Sequence, residues 1–194
     1  MSRLNDQFDY MSLDDFEELL ADKPRDEKWE LIGGRVVKMM TGARWEHHFI
    51  VQNMNFALSR HLRESGSPCR VFTESFRLKE DELDSSLLPN VIVRCGPMVP
   101  GATSLNDPTI LVEVMSYGSV GRDRVEKWRV YQKLASLQHY VLVERDKPVI
   151  EVFDRAGEAW FSQRLIEGLD ATLHLSSLDL SIPLAEIYRD VLKP

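Results

Sequence analysis

Apolar residues along the chain recur at two spacings, one typical of amphipathic helices and one typical of strands. Residues 13–20 place four apolar side chains on one helical face. They follow Ser12, a serine suited to an N-cap, and Lys23-Pro24 ends the pattern. A second helical pattern covers Trp45–Glu64 and stops at Ser65-Gly66-Ser67-Pro68. The sequence therefore predicts two helices in its first third.

Strand-like patterns fill much of the remaining chain. Gly33-Gly34 separates two apolar runs in residues 29–40, which predicts a tight β-hairpin. Further strands are predicted at 70–78, 90–95 and 109–115, with surface loops at 79–86 and 96–108 between them. The last predicted elements are a helix at 122–135, strands at 140–144, 149–153, 159–165 and 177–181, and a helix at 183–192. These elements predict a mixed α/β fold, with a central mixed sheet flanked by helices and an antiparallel C-terminal meander, in one domain spanning residues 1–194.

The amino-acid composition limits the classes of protein to which the chain can belong. The 194 residues are 43% hydrophobic and 28% charged, which is typical of a globular protein and excludes a disordered one. A net charge of −7 argues against nonspecific coating of nucleic acid. Cys69 and Cys95 are too few for a disulfide framework or a cysteine zinc site. No apolar run reaches the length of a signal peptide or a membrane span, so we expect a cytoplasmic protein.

One acidic residue interrupts an otherwise apolar strand. Glu113 lies within Ile110–Met115, and a buried carboxylate is costly unless a cation, a metal or several donors compensate it. Lys127 follows on the next predicted helix, and the intervening glycines allow that helix to fold back along the strand. Two interpretations stay open at this point. Glu113 and Lys127 form a functional pair, or Glu113 contacts a neighbouring arginine while Lys127 is solvated.

Other candidates carry weaker signals. The helix of Lys127 has five basic residues against two acidic ones, a local net charge of +3 that suits phosphate binding or a solvated face. Its basic residues besides Lys127 are Arg122, Arg124, Arg129 and Lys133. Asn90 follows Pro89 where a strand begins, and Glu30 and His47 lie near the hairpin and the start of the second helix. Each of these three alone is more often an ordinary loop, surface or core residue.

Taken in order, these residues resemble the Uma-two family of predicted endonucleases, a bacterial branch of the PD-(D/E)xK restriction-endonuclease-like nucleases. The resemblance covers nearly the whole chain. The matching residues are Trp29-Glu30-Leu31-Ile32-Gly33-Gly34, His47, Pro89-Asn90-Val91, Glu113-Val114-Met115-Ser116, Asp123, Lys127 and Tyr131.

The resemblance implies a restriction-endonuclease-like fold and hydrolysis of DNA phosphodiester bonds with Mg²⁺ or Mn²⁺. It assigns Glu113 and Asn90 to the metal, Lys127 to catalysis on the helix that follows, and Glu30 and His47 to further catalytic positions. DNA is the implied partner, and a homodimer fits an enzyme that cuts both strands.

Asn90 departs from the family pattern, which has aspartate at this position. Asparagine offers a side-chain oxygen without a charge, so we expect weak metal binding and impaired activity. Two alternatives remain. The chain is a catalytically inactive nuclease fold that binds nucleic acid or a protein, or it is a structural domain in which Glu113 and Lys127 form an internal salt bridge.

Overall fold

A computed structural model describes residues 10–40, 42, 44–115, 121–157 and 161–192. Its first elements follow the sequence pattern closely. Ser12 caps helix α1 (Leu13–Ala21) by accepting the backbone N–H of Asp15. The predicted hairpin forms from β1 (Glu27–Ile32) and β2 (Arg35–Met40), with Gly33 and Gly34 at φ angles of 57° and 79°. Both glycines adopt the left-handed conformation that a tight hairpin turn requires. Helix α2 spans Trp45–Glu64, as predicted.

The middle of the chain differs from the prediction. The predicted strand at residues 70–78 is two strands in different sheets, β3 (Cys69–Thr73) and β4 (Arg77–Glu80). Glu74 separates them with a φ of 35°, a left-handed conformation that ends the extended backbone. Two short strands also fall where loops were predicted: β5 (Ser85–Leu87) begins within the predicted loop at 79–86, and β7 (Ser104–Leu105) lies within the one at 96–108. The two predicted strands near them form as β6 (Val91–Cys95) and β8 (Ile110–Met115).

The C-terminal meander is confirmed, and the helices around it are shorter than predicted. A six-residue π-helical segment, Arg122–Lys127, leads into α3 (Trp128–Tyr131) where a longer helix was predicted. The last helix, α4 (Leu184–Ile187), is also short. The remaining strands are β9 (His139–Glu144), β10 (Val149–Arg155), β11 (Phe161–Glu167), β12 (Thr172–Leu175) and β13 (Leu180–Pro183). The predicted start of β11 at 159 lies outside the described residues.

Two larger sheets organise these strands. A six-stranded mixed sheet has the order β11-β10-β9-β8-β6-β3, in which only the pair β8 and β9 is parallel. A five-stranded sheet has the order β2-β1-β5-β4-β7. Alternate side chains of β8 point to opposite faces of its sheet. Val112 and Val114 pack towards α2 and α4, whereas Leu111 and Met115 pack with Tyr131 and with residues of the smaller sheet. Glu113 shares the face of Leu111 and Met115, so it points into the layer between the two sheets.

The structure also joins Cys69 and Cys95 in a disulfide, which the sequence analysis did not predict. The two residues lie directly opposite each other on the antiparallel strands β3 and β6. β3 is an edge strand of the six-stranded sheet. The disulfide therefore ties this edge strand to its neighbour.

Candidate active site

Two carboxylates and one amine meet in a buried cluster between the sheets. Lys127 Nζ lies 2.9 Å from Glu113 Oε1 and 3.1 Å from Glu30 Oε1. The three side chains are at most 4% exposed. The predicted approach of Lys127 to Glu113 is thus confirmed. We call Glu30, Glu113, Lys127 and Tyr131 the carboxylate–lysine cluster.

The π-helical segment explains how a lysine reaches this buried position. Val125, Trp128, Tyr131 and Leu134 follow α-helical spacing in the sequence, which predicts that Val125 faces the core. In the structure, however, Val125 is 48% exposed and Lys127 is buried. A π-helix has more residues per turn than an α-helix, so its side chains fall at different angles from those that α-helical spacing predicts. The local winding therefore turns Val125 outwards and Lys127 inwards.

Hydrogen bonds fix both carboxylates. The Tyr131 hydroxyl donates to Glu113 Oε1 at 2.9 Å, and the backbone N–H of Leu88 donates to Glu30 Oε1 at 2.7 Å. Burial and the nearby charge of Glu113 raise the pKa of Tyr131 well above its usual value, so this hydroxyl stays protonated and remains a donor. Glu30 Oε2 is buried and has no hydrogen-bond partner among the described residues. Such an oxygen is costly to bury unless another group satisfies it.

A second, half-buried polar cluster adjoins the first and consists of His47, Glu74 and Asn90. Asn90 Oδ1 accepts the backbone N–H of Val114 at 2.8 Å, beside Glu113 in the chain. Asn90 Nδ2 lies 3.3 Å from His47 Nε2 and 3.4 Å from Glu74 Oε1. The structure thus brings the four predicted residues Glu30, His47, Asn90 and Glu113 into two linked clusters.

Sequence reasoning missed Glu74. It stands within a run that reads as one strand, and its position depends on a break in that run. The signal in the sequence is the polar triplet Thr73-Glu74-Ser75, which interrupts the alternation of the predicted strand. The hydrogen bond with His47 and the charges of Lys28, His47 and His48 lower the pKa of Glu74, although burial opposes this, so its carboxylate is charged at neutral pH.

The four predicted phosphate-binding residues have different surroundings. Arg129 and Lys133 are exposed and line a cavity of about 480 Å³ together with Arg35 and Glu126. Arg124 instead forms ion pairs with Glu144 on β9 and Glu151 on β10. The side chain of Arg122 lies outside the described part of the structure, as do Ser116 and the side chain of Asp123.

Comparison with known proteins places this chain in a family. Residues 13–185 match the Uma2 family model, described as "Putative restriction endonuclease". The chain belongs to this family. Two uncharacterized proteins of Synechocystis sp., slr1290 and sll1609, are 28% and 23% identical to it, over 84% of this chain in each case and over 84% and 93% of the relatives.

A solved structure shares the fold of this Uma2 protein. It is a crystal structure described as a putative nuclease belonging to DUF820 from Anabaena variabilis, with a TM-score of 0.70 and 18% sequence identity. The match covers 94% of the present chain and 99% of the other. The predicted fold class and family are therefore confirmed. In the described residues, no helix has the length and apolarity that crossing a bilayer would require.

Proposed function

We propose that this Uma2 protein is a metal-dependent endonuclease that hydrolyses DNA phosphodiester bonds. The carboxylate–lysine cluster carries the proposal. It places a lysine between two carboxylates inside a fold shared with a protein described as a putative nuclease, and it leaves one carboxylate oxygen, Glu30 Oε2, without a described partner. Family membership supports a nuclease, and the metal, the DNA substrate and the residue roles are our proposal.

The residues of the cluster fit a divalent cation. Glu30 and Glu113 both bond directly to the ammonium of Lys127, and Arg77 acts on Glu30 at longer range. Carboxylate and amide oxygens are the ligands that Mg²⁺ and Mn²⁺ prefer. In the described chain, no three or more His, Cys, Asp and Glu residues are grouped so that they alone could hold a metal ion. We therefore expect Glu30 and Glu113 to hold the ion weakly, with the neutral oxygen of Asn90 as a third ligand.

The chain's own residues have separate roles in this proposal. A bound divalent ion makes an attached water more acidic, which supplies a nucleophile at neutral pH. Lys127 balances the charge of the carboxylates and stabilises negative charge on the phosphate. Tyr131 keeps Glu113 in place, and His47 lies where it can exchange a proton with solvent beside Asn90. Arg129 and Lys133, joined by Arg35, are positioned to contact DNA phosphates.

The decisive experiment is supercoiled-plasmid nicking with Mn²⁺ or Mg²⁺ by the wild type and by Glu113→Gln. Glutamine keeps the shape and an oxygen acceptor for Tyr131 but removes the charge, so we expect cleavage to fall at least about 100-fold. Glu186→Gln is the matched control, because Glu186 forms a half-exposed ion pair with Arg60 away from the cluster. Equal cleavage by wild type and Glu113→Gln would contradict the proposal.

The second candidate function is a nuclease fold that binds nucleic acid without cutting it. The presence of Asn90 in place of the family's aspartate favours it. Salt-dependent retention of DNA without cleavage at any metal concentration would support this alternative. We also propose that the enzyme is cytoplasmic and forms a homodimer. Cell fractionation tests the location, and analytical ultracentrifugation tests the oligomeric state.

A further inference from the structure

Helix α2 exposes three large aromatic side chains. Trp45 is 54% exposed, Phe49 is 39% exposed and Phe56 is 64% exposed. Trp45 and Phe49 contact each other edge to face, with ring centroids 5.6 Å apart. Single exposed apolar side chains are common on protein surfaces, whereas several that share one surface mark a site of interaction. The aromatic residues of α2 therefore indicate a surface that binds a partner.

The exposed residues of α2 lie on one side of the helix. Between residues 45 and 63 they fall within about 120° around the helix axis, because an α-helix turns by about 100° per residue. They are Trp45, His48, Phe49, Gln52, Phe56, Arg60 and Arg63, and we call them the α2 outer face. Residues 45, 49, 52 and 56 follow alternating steps of four and three, the spacing at which two helices pack along a seam. The α2 outer face therefore suits a second helix.

The α2 outer face points away from the carboxylate–lysine cluster. The buried side of α2, which includes Ile50 and Met54, packs with Val112 and Val114 of β8. Glu113 points to the opposite face of that sheet, where Leu111 and Met115 also lie. A protein bound to the α2 outer face is therefore separated from the cluster by the helix and the sheet, and it leaves the proposed active site uncovered.

The two ends of α2 differ in charge. Glu46 lies in the first turn beside Trp45, whereas Arg63 lies in the last turn. The guanidinium of Arg60, one turn before the end, is 5.5 Å from the centroid of the Phe56 ring. Two α2 helices packed in the same direction would bring their arginines together. In opposite directions, the arginines of each helix face the aromatic and acidic end of the other, and the helix dipoles attract.

We propose that the α2 outer face binds a second copy of this chain through the same face, with the two α2 helices antiparallel. A two-fold axis near Gln52 places Phe49 opposite Phe56 of the partner subunit and Trp45 opposite the partner's Arg60. Symmetry repeats both contacts, so the face is complementary to itself. This inference assigns a surface to the proposed homodimer and does not depend on nuclease activity.

The area of the α2 outer face predicts a reversible dimer. A large aromatic side chain carries about 150–250 Å², so the exposed parts of the three aromatic residues contribute roughly 300 Å² per copy. The long side chains of Gln52, Arg60 and Arg63 add to this area, and an ion pair with Glu186 holds Arg60 beside the face. Two copies therefore come close to about 1,200 Å², the lower limit for a specific, stable interface. We expect a dissociation constant in the micromolar range.

Sedimentation equilibrium over a range of protein concentrations tests the surface. We expect the wild type to dimerise reversibly and Phe56→Glu to weaken dimerisation at least about 100-fold, because the new carboxylate is buried against an aromatic ring. Leu165→Glu is the matched control, because Leu165 is 61% exposed on the edge strand β11 and should not affect dimerisation. A wild type that is monomeric at every concentration, or equal dimerisation by the wild type and Phe56→Glu, overturns the proposal.

Disulfide cross-linking tests the antiparallel arrangement and does not depend on the glutamate variant. An oxidant should join Phe49→Cys to Phe56→Cys when the two proteins are mixed. It should join neither variant efficiently to itself, because antiparallel packing separates like residues by about 10 Å along the helix, beyond the reach of a disulfide. Efficient self-linking of Phe49→Cys would show a parallel pair and overturn the proposed arrangement.

Two outcomes separate this inference from the proposed function. A wild type that nicks plasmid but stays monomeric overturns the dimer surface and leaves the nuclease proposal standing. A wild type that cuts no DNA but dimerises, with dimerisation lost in Phe56→Glu, supports the surface and contradicts the nuclease. DNA retention that falls in Phe56→Glu, while the wild type is monomeric, would instead assign the α2 outer face to nucleic acid and overturn the proposal.

Discussion

Lys127 Nζ lies 2.9 Å from Glu113 Oε1, and both side chains are almost completely buried. Two interpretations of the sequence predict this contact, because an active-site pair and an internal salt bridge look alike in geometry. They differ in what happens when the amine is removed. Lys127 also contacts Glu30, so removing the amine leaves two carboxylates side by side without the group that separates them. The two interpretations therefore predict different responses of this variant to a metal ion.

Lys127→Met should therefore destabilise the protein and make it more dependent on metal. Removing one partner of a buried ion pair costs about 3–5 kcal/mol, because the remaining charge is uncompensated. A divalent cation can take the place of the amine between the carboxylates. We expect Mn²⁺ to raise the melting temperature of Lys127→Met more than that of the wild type, measured by calorimetry.

Lys79→Met is the control for this variant. Lys79 pairs with Glu17 at the surface, where ion pairs contribute about 1 kcal/mol or less. A Lys127→Met protein that is strongly destabilised but unaffected by Mn²⁺ would favour the internal salt bridge. A Lys127→Met protein that is as stable as Lys79→Met would contradict the burial of Lys127 between the two carboxylates.

The sequence predicted most elements because their patterns are local. Helix α2 buries six apolar residues at helical spacing, and the hairpin has two glycines that adopt left-handed backbone conformations, so short-range rules are sufficient. The division of residues 70–78 into two strands is different. It depends on one glutamate in a left-handed conformation, a state that glutamate does not favour by itself. Tertiary contacts determine where the extended backbone is interrupted at Glu74, and these contacts leave no local pattern in the sequence.

The site was predicted in part for the same reason. Glu113 stands out because a charge interrupts an apolar strand, and Asn90 because it follows Pro89. The burial of Lys127 depends on π-helical winding, which α-helical periodicity cannot anticipate. Glu74 enters through cross-strand register, since it lies opposite Asn90 across β3 and β6. Register between distant strands is a property of the folded chain.

Asn90→Asp should strengthen metal binding at a cost in metal-free stability. The new carboxylate keeps the hydrogen bond to the Val114 N–H, but its other oxygen replaces the amide that lies 3.4 Å from Glu74 Oε1. Two carboxylates this close cannot both stay charged without a cation or a shared proton. We expect a lower melting temperature in chelator and a larger increase on adding Mn²⁺. Equal calorimetric Mn²⁺ affinity in both proteins would show that residue 90 is not at the metal site.

Acid should destabilise the fold through His139, which lies apart from the site. Its Nε2 accepts the backbone N–H of Ser177 at 3.1 Å, and its Nδ1 lies 2.7 Å from Asp154 Oδ1, so the bonding pattern requires a neutral ring. Burial lowers the pKa of His139 below its usual 6.5, although Asp154 opposes the shift. The unfolded chain then binds more protons than the folded one below pH 6.5. The stabilisation is complete above that pH and is lost as pH falls towards the lowered folded-state pKa.

Urea unfolding at pH 7.5 and pH 5.5 measures this effect. The wild type and His174→Gln, whose histidine is exposed, should both lose stability at the lower pH. His139→Gln should be less stable at pH 7.5 but should change less between the two pH values. An unchanged pH dependence in His139→Gln would assign the acid sensitivity to other groups.

Reduction of the disulfide should loosen the edge strand β3, which ends next to Glu74. Cys69 and Cys95 are 26 residues apart, and the loop that they close contains both Glu74 and Asn90. Closing a loop of this length stabilises a fold by about 3.5 kcal/mol in the chain-entropy model. We expect a reductant to lower the melting temperature of the wild type and to leave Cys69→Ser/Cys95→Ser unchanged. Because Asn90 precedes β6 at the end opposite Cys95, Mn²⁺ affinity should fall less than stability does. Two freely reacting thiols in the purified, unreduced protein would show that the bond does not form in solution.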